Sequence, residues 1–364
     1  MKAKSLYLAI AMLSLMVWGC NKSSSLDGSS ASTGSLKSSL NSGIQDLSSA
    51  LTAISSTSGY QVLTGSNSLT TKSTTTSALD TTLTNSILLS DINGVYNYKS
   101  TTVQKGPGSI MRFFTKSAEN PLMIVNLPEE KVISYKDLLH YKPSDTLLVN
   151  NYKVTLSQYQ YRFTYFKGWD YKMASNINIK SVDAGALKIQ SSNNNVNGYH
   201  FASQYVFTNG YNVNYQYISG DTAQSVYAIT KDSKTLYEEK YTAIRSATSF
   251  KHAETTYSFT IGNVQIVRGM GKNSLDSAKV YVAGVLQSKS KITIVDKVAD
   301  PTDQSITHKK REMQITFDDG TVKTMTELLG ANIDNVDTLF TAMRSVWFAT
   351  SIIDWIAWDI YTKK

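Results

Sequence analysis

The side chains of this 364-residue chain with chemistry to offer are few: one thiol, four imidazoles, scattered carboxylates and a cluster of aromatic rings. The imidazoles of His140, His200, His252 and His308 stand more than fifty residues apart, so none shares a helical turn with another. A single Cys can build neither a thiolate metal site nor an intramolecular disulfide. No metal and no cofactor is therefore expected. Glu129-Glu130 and Asp318-Asp319 are adjacent carboxylates, but neighbours on a strand face opposite sides. A turn after Pro128 and a hairpin tip account for them better than acid–base chemistry. Gly65-Ser66-Asn67-Ser68-Leu69 departs from the G-x-S-x-G of a nucleophile elbow. Gly269-Met270-Gly271 lacks the third glycine of a dinucleotide loop. What remains is Phe166, Trp169 and Tyr171, three rings within six residues at a turn or strand end, with Lys167 and Asp170 between them. Aromatic faces stack on sugars, and nearby polar groups can bond hydroxyls. These three are the candidate ligand-stacking residues.

The thiol has chemistry of a different kind. Met1–Cys20 reads MKAKSLYLAIAMLSLMVWGC, with Lys2 and Lys4 ahead of an apolar core from Leu6 to Val17. That core is shorter than the ~20 residues a spanning helix needs, so residues 1–19 are expected to be a signal peptide. Val17-Trp18-Gly19-Cys20 resembles a bacterial lipobox, with Trp18 standing where a small residue is usual. Cleavage is expected between Gly19 and Cys20, with palmitate-type acyl chains on Cys20. Two or more chains make such attachment stable where one is reversible. Asn21 follows, rather than the Asp that favours inner-membrane retention, so an outer-membrane lipoprotein of the cell envelope is expected. Asn21–Ser25 carries no acidic run of the kind that marks surface export, which leaves both faces of that membrane open.

Composition sets the rest of the frame. Hydrophobic residues make up 41% and charged residues 18%, too apolar for a wholly disordered chain. The net charge of +8 invites a nucleic-acid partner, and His308-Lys309-Lys310-Arg311 is the densest basic run. Glu312 follows at once, and export removes the usual nucleic acids, so a solvated strand face and no nucleic-acid partner are expected.

Between positions 21 and 90, 33 of 70 residues are Ser or Thr, a composition that favours a flexible tether. Within it Leu36, Leu40, Ile44, Leu47, Leu51 and Ile54 fall at helical spacing. The expected organisation is a lipidated tether over 20–34, an amphipathic helix over 35–56 docked on the main body, and a Ser/Thr-rich linker over 57–90. From 91 to 330 short alternating runs replace this texture. Tyr159, Tyr161, Phe163 and Tyr165 alternate with polar residues, as do Tyr211, Val213, Tyr215 and Tyr217. Asp319-Gly320 sits between two strand-like runs, a strong hairpin signal. These features predict a mainly β domain, an antiparallel β-sandwich or open barrel-like sheets, without parallel βαβ units. A Thr326–Leu329 turn closed by Gly330 and a long C-terminal helix over 331–364 complete it. That helix is apolar on most sides, so it is expected to pack between the sheet and the N-terminal helix, or to meet a partner or the membrane interface.

Leu88–Lys99 (LLSDINGVYNYK), Ile124–Ser134 (IVNLPEEKVIS) and Gln314–Val322 (QITFDDGTV) resemble blocks in a family of uncharacterised lipoproteins of Bacteroidota-type bacteria. The likeness spans about 85–330 and implies a lipobox joined to a β-rich domain of unknown function. The expected function is a non-catalytic, lipid-anchored envelope protein that binds a protein or glycan partner. The alternative is a hydrolase acting on glycans or cell wall, with two carboxylates brought together by the fold.

Overall fold

The computed structural model describes residues 35–65, 84–99, 110–132, 145, 147–194, 198–245, 252–269, 278–296, 311–345 and 347–363. Signal peptide, lipobox and tether, with Gly19 and Cys20, lie outside these residues. So do His140 and His308 and the middle of the expected linker.

The leucine stripe folds as helix α1 (Leu36–Ser55), capped by the Ser35 hydroxyl, which accepts from the Ser38 N–H at 3.2 Å. Leu36, Leu40, Leu47, Leu51 and Ile54 are buried along one side. Gly43 lies on that side too, where an added Cβ would stand 2.8 Å from Ile261 Cγ2 and 3.0 Å from the Ile261 carbonyl. A glycine in mid-helix ordinarily costs about 1 kcal/mol against alanine, but here it lets α1 lie on the strand. Gly43→Leu is expected to destabilise the protein by roughly 1–3 kcal/mol through overpacking. An unchanged melting temperature would contradict this close crossing.

Two pieces of the expected linker are ordered elements. Helix α2 (Ser58–Gly65) buries Leu63 and sets Gly59 against strand backbone, where a Cβ would lie 2.2 Å from the Ala184 carbonyl. Strand β1 (Thr84–Leu88) and helix α3 (Leu89–Ile92) follow, with Ile87 and Ile92 buried. Averaged composition hides such pieces, because a few apolar residues at i, i+4 or i, i+2 suffice once a large sheet receives them.

Next come β2 (Gly94–Tyr98), a 3₁₀ turn (Ile110–Phe113), β3 (Phe114–Ala118), β4 (Met123–Leu127) and a one-turn helix α4 (Glu129–Val132). The long strands are β5 (Tyr152–Thr164), β6 (Gly168–Ile179), β7 (Val182–Asn194), β8 (Gly198–Val206), β9 (Tyr211–Ser219), β10 (Thr222–Lys231), β11 (Lys234–Arg245) and β12 (His252–Ile261). Shorter β13 (Val264–Gly269), β14 (Lys279–Val282) and β15 (Val285–Leu286) continue the meander. Fifteen strands make one sheet, ordered β15-β14-β13-β12-β11-β10-β9-β8-β7-β6-β5-β4-β2-β3, with β1 also paired to β5. All of its pairs among the described residues are antiparallel except β2 with β4. Two-residue turns at Lys180-Ser181 and Asp232-Ser233, all four with positive φ, join β6 to β7 and β10 to β11. Such turns match the strand twist even without glycine. A second sheet of three strands, β16 (Lys291–Asp296), β17 (Arg311–Thr316) and β18 (Val322–Thr324), contains the expected Asp-Gly hairpin. Lys37 on α1 pairs with Asp319 at its tip, 2.8 Å away.

The molecule is thus mainly β and largely antiparallel, without a closed barrel. The large sheet packs not against a second large sheet but against helices. Helix α5 (Met325–Leu329) ends at Gly330, as its sequence suggests. The expected single C-terminal helix is two: α6 (Asn332–Ser345) and α7 (Trp347–Tyr361). α1 lies on β11–β13, α2 on β7, and α6 on β8 and β9, while α7 packs on α3, β1 and the 3₁₀ turn. One straight helix of 30 residues would run about 45 Å and could not follow both parts of a twisted sheet. No described helix is long and apolar enough to cross a membrane.

Candidate functional site

The helix-facing side of the sheet carries most of the aromatic residues, because period-two alternation puts Tyr159 and Tyr161 of β5, Trp169 and Tyr171 of β6, and Tyr199 and Phe201 of β8 on one side. Against it α7 places a carboxylate. Asp354 Oδ1 accepts from the Tyr159 and Tyr171 hydroxyls, each at 3.0 Å. The two rings meet edge to face, 5.8 Å apart. Burial pushes the Asp354 carboxyl up to about 7, although both hydrogen bonds pull the other way. The tyrosines are raised in turn, by burial first and by Asp354 next. This cluster holds the helix against the sheet. It also accounts for Asp354, one of two aspartates that interrupt the apolar C-terminal helix, the other being Asp359, which accepts from the Met111 N–H at 3.1 Å.

A second carboxylate faces the same side. Glu239 of β11 accepts a very short hydrogen bond from Tyr237, and burial together with the Glu239 charge raises the pKa of Tyr257 on β12. Phe340 of α6 covers the Tyr237 and Tyr227 rings at 5.8 and 4.7 Å. The two tyrosine–carboxylate clusters lie on β5–β6 and β11–β12, so five strand intervals, about 24 Å measured along the sheet, separate β6 from β11. Glycosidase carboxylate pairs stand only ~5–9.5 Å apart.

A cavity of about 20 Å³ lies between β4–β7 and α7, lined by apolar side chains together with Tyr152 and Ser175. It has room for about one water. The buried Tyr152 hydroxyl has no hydrogen-bond partner, and burial raises its pKa. Beside this region is a buried ion pair that the sequence pattern did not reveal. Lys131 of α4 is paired with Asp145 at 2.5 Å, their side chains only 3% and 4% exposed. Its neighbours behave as expected: Glu130 is exposed, and Glu129 reaches Lys180 at 3.1 Å.

The three candidate stacking residues do not form one platform. Tyr171 is buried and engaged by Asp354. Phe166 is 79% exposed at the β5–β6 hairpin tip, with φ of 58° and its ring against Tyr165. Trp169 is half-buried, with Tyr199 of β8 6.0 Å away. Tyr199 in turn meets Tyr217 of β9 at 5.9 Å. Tyr199 and Tyr217 lie far from Trp169 in sequence and only strand pairing unites them. Their alternation was the available signal. His200 points to the opposite side of the sheet. Among the described residues no three His, Cys, Asp or Glu side chains gather as a metal site.

No family model, no curated protein and no solved structure matches the chain.

Proposed function

We propose that this chain is a lipid-anchored, non-catalytic protein of the bacterial cell envelope whose β-rich body binds a glycan or protein partner. The anchor is Cys20, released from its signal peptide after Gly19, in the outer membrane of a Bacteroidota-type cell. The observation that carries the binding role is the line of half-buried aromatic rings, Trp169, Tyr199 and Tyr217, at the hairpin end of the large sheet. An open sheet of this width curls, and a barrel-like curl would make that line the wall of a trough. A tether of some 15 residues between Cys20 and α1 would give a root-mean-square reach of about 20 Å.

The hydrolase reading has Asp354 in its favour, since a carboxyl raised toward neutrality suits a general acid. Its second carboxylate is the difficulty, because Glu239 is set five strands away and is itself held by tyrosines.

The anchor is tested by Cys20→Ala. The variant is expected in the soluble fraction, without incorporation of an alkyne-labelled palmitate. Continued partition into detergent-extractable membranes would overturn the lipobox reading.

A further inference from the structure

In the core several tyrosine hydroxyls of this sheet are spent on internal partners, Tyr152 being an exception. Tyr159 and Tyr171 donate to Asp354, Tyr237 to Glu239, and Tyr205 to the Ala184 carbonyl at 2.9 Å. Toward the end of the sheet that holds the β5–β6 and β9–β10 turns, the pattern changes. Trp169 of β6 is opposed by Asn193 of β7, which is opposed by Tyr199 of β8. One step down, Tyr217 of β9 is opposed by Ser225 of β10 and that by Tyr241 of β11. Directly opposed residues point to one side, so these residues form a continuous line over six strands: ring, amide, ring, ring, hydroxyl, ring. Its length is about 24 Å, five strand spacings. Asn193 and Tyr241 are exposed, and the other rings are half-buried. Among the described residues, Trp169 Nε1, the Asn193 amide and the hydroxyls of Tyr199, Tyr217 and Tyr241 have no hydrogen-bond partner.

We infer that this line is a binding site for a neutral, linear glycan, with sugar faces on Trp169, Tyr199 and Tyr217 and sugar hydroxyls on Asn193 and the tyrosine hydroxyls. Charge complementarity selects this occupant. The chain as a whole carries +8, yet all six residues of the line are uncharged, so the line itself offers no charge to an acidic peptide, a phosphate or an anionic lipid; the register brings in a cation, Arg268 of β13, only two strands beyond Tyr241. Small residues at Asn193 and Ser225 leave gaps between rings, which suits a ligand alternating apolar ring faces with hydroxyl edges. The inference rests on the binding role proposed above and names the ligand class for that site.

The test uses the mature full-length chain carrying Cys20→Ser, so that lipidation plays no part. Native electrophoresis is run through gels containing galactomannan, amylose or mixed-linkage β-glucan, and pelleting is measured with isolated peptidoglycan sacculi. Retardation in at least one neutral polysaccharide is expected, with apparent affinity falling tenfold or more in Trp169→Ala and in Tyr199→Ala. Pelleting with sacculi, whose peptide stems carry carboxylates, in the absence of retardation by any neutral polysaccharide would overturn the neutral class. Because Trp169 also packs on the core, Asn193→Leu provides a surface variant, expected to weaken retardation at an unchanged melting temperature. No retention by any glycan, or equal retention of all three variants, overturns the inference. Failure here with intact Cys20-dependent membrane attachment would remove the glycan while leaving the anchored protein standing.

Discussion

Lys131→Ala is expected to lower the folding free energy by about 3–5 kcal/mol, among the largest single effects this chain can show. Lys131 and Asp145 are almost wholly removed from water, and their ion pair is 2.5 Å long. Removing the ammonium leaves a carboxylate in a low-dielectric setting, where neither water nor a replacement cation can reach it at low cost. The same logic predicts that the double replacement Lys131→Met, Asp145→Leu recovers most of the loss, since an apolar pair of similar volume has no charge to strand. Chemical denaturation at pH 7 measures both. A single variant within 1 kcal/mol of the parent, or a double variant as unstable as the single, would mean the pair is solvated in solution. Tyr98 supplies an independent readout. Burial first and the Asp145 charge second raise its hydroxyl to about 12, so with Asp145→Asn its ultraviolet titration should move to lower pH.

Asp354→Asn is expected to stabilise the protein at pH 8, by about 2–4 kcal/mol, and to change little at pH 4. The carboxyl is raised from its ordinary 3.8 to about 7 in the folded chain. Between those values it is protonated when folded and ionised when unfolded, so folding takes up a proton. Its contribution is therefore fully present below about pH 4 and is lost as pH rises through 7. Three units correspond to at most about 4 kcal/mol, and any water admitted to the site reduces that. Asparagine keeps an oxygen to accept from Tyr159 and Tyr171 and carries no charge at any pH. Urea unfolding at a series of pH values is the measurement. The parent curve should decline from pH 5 to 8 while the variant stays flat. Parallel curves, or a variant weaker at pH 8, would show that Asp354 is ionised and paired. Since α7 alone carries the residue, amide exchange in Trp347–Tyr361 should quicken at alkaline pH before the rest of the chain does.

Much of this architecture is legible from local pattern. The α1 stripe is set by leucines at helical spacing, and the helix occupies Leu36–Ser55 against an expected 35–56. The period-two aromatic runs become β5 and β9, and Asp-Gly becomes the hairpin between β17 and β18. Each of these rests on backbone geometry repeated every two or 3.6 residues, which neighbouring residues reveal. The helix α2 was hidden because Ser and Thr dominate its surroundings, and its docking depends on Gly59 meeting β7, more than a hundred residues away. The candidate site was legible only in part. Trp169 is in it, but Tyr171 turns inward to a helix near the other end of the chain, and Phe166 sits on a turn whose positive φ aims it outward.

What the sequence by itself determined is local: alternating strands, an amphipathic first helix, a lone thiol behind an apolar leader, and an expectation of lipid attachment that follows from it. What only the tertiary structure decided is every choice of partner: that fifteen strands join into one sheet backed by helices, that Lys131 finds Asp145, that Asp354 finds two tyrosines, and that Trp169 lines up with Tyr199 and Tyr217. The physical reason is that periodicity tells which side of an element is apolar but not which surface will cover it. That depends on strand order and register, and these are set by contacts between residues tens to hundreds of positions apart.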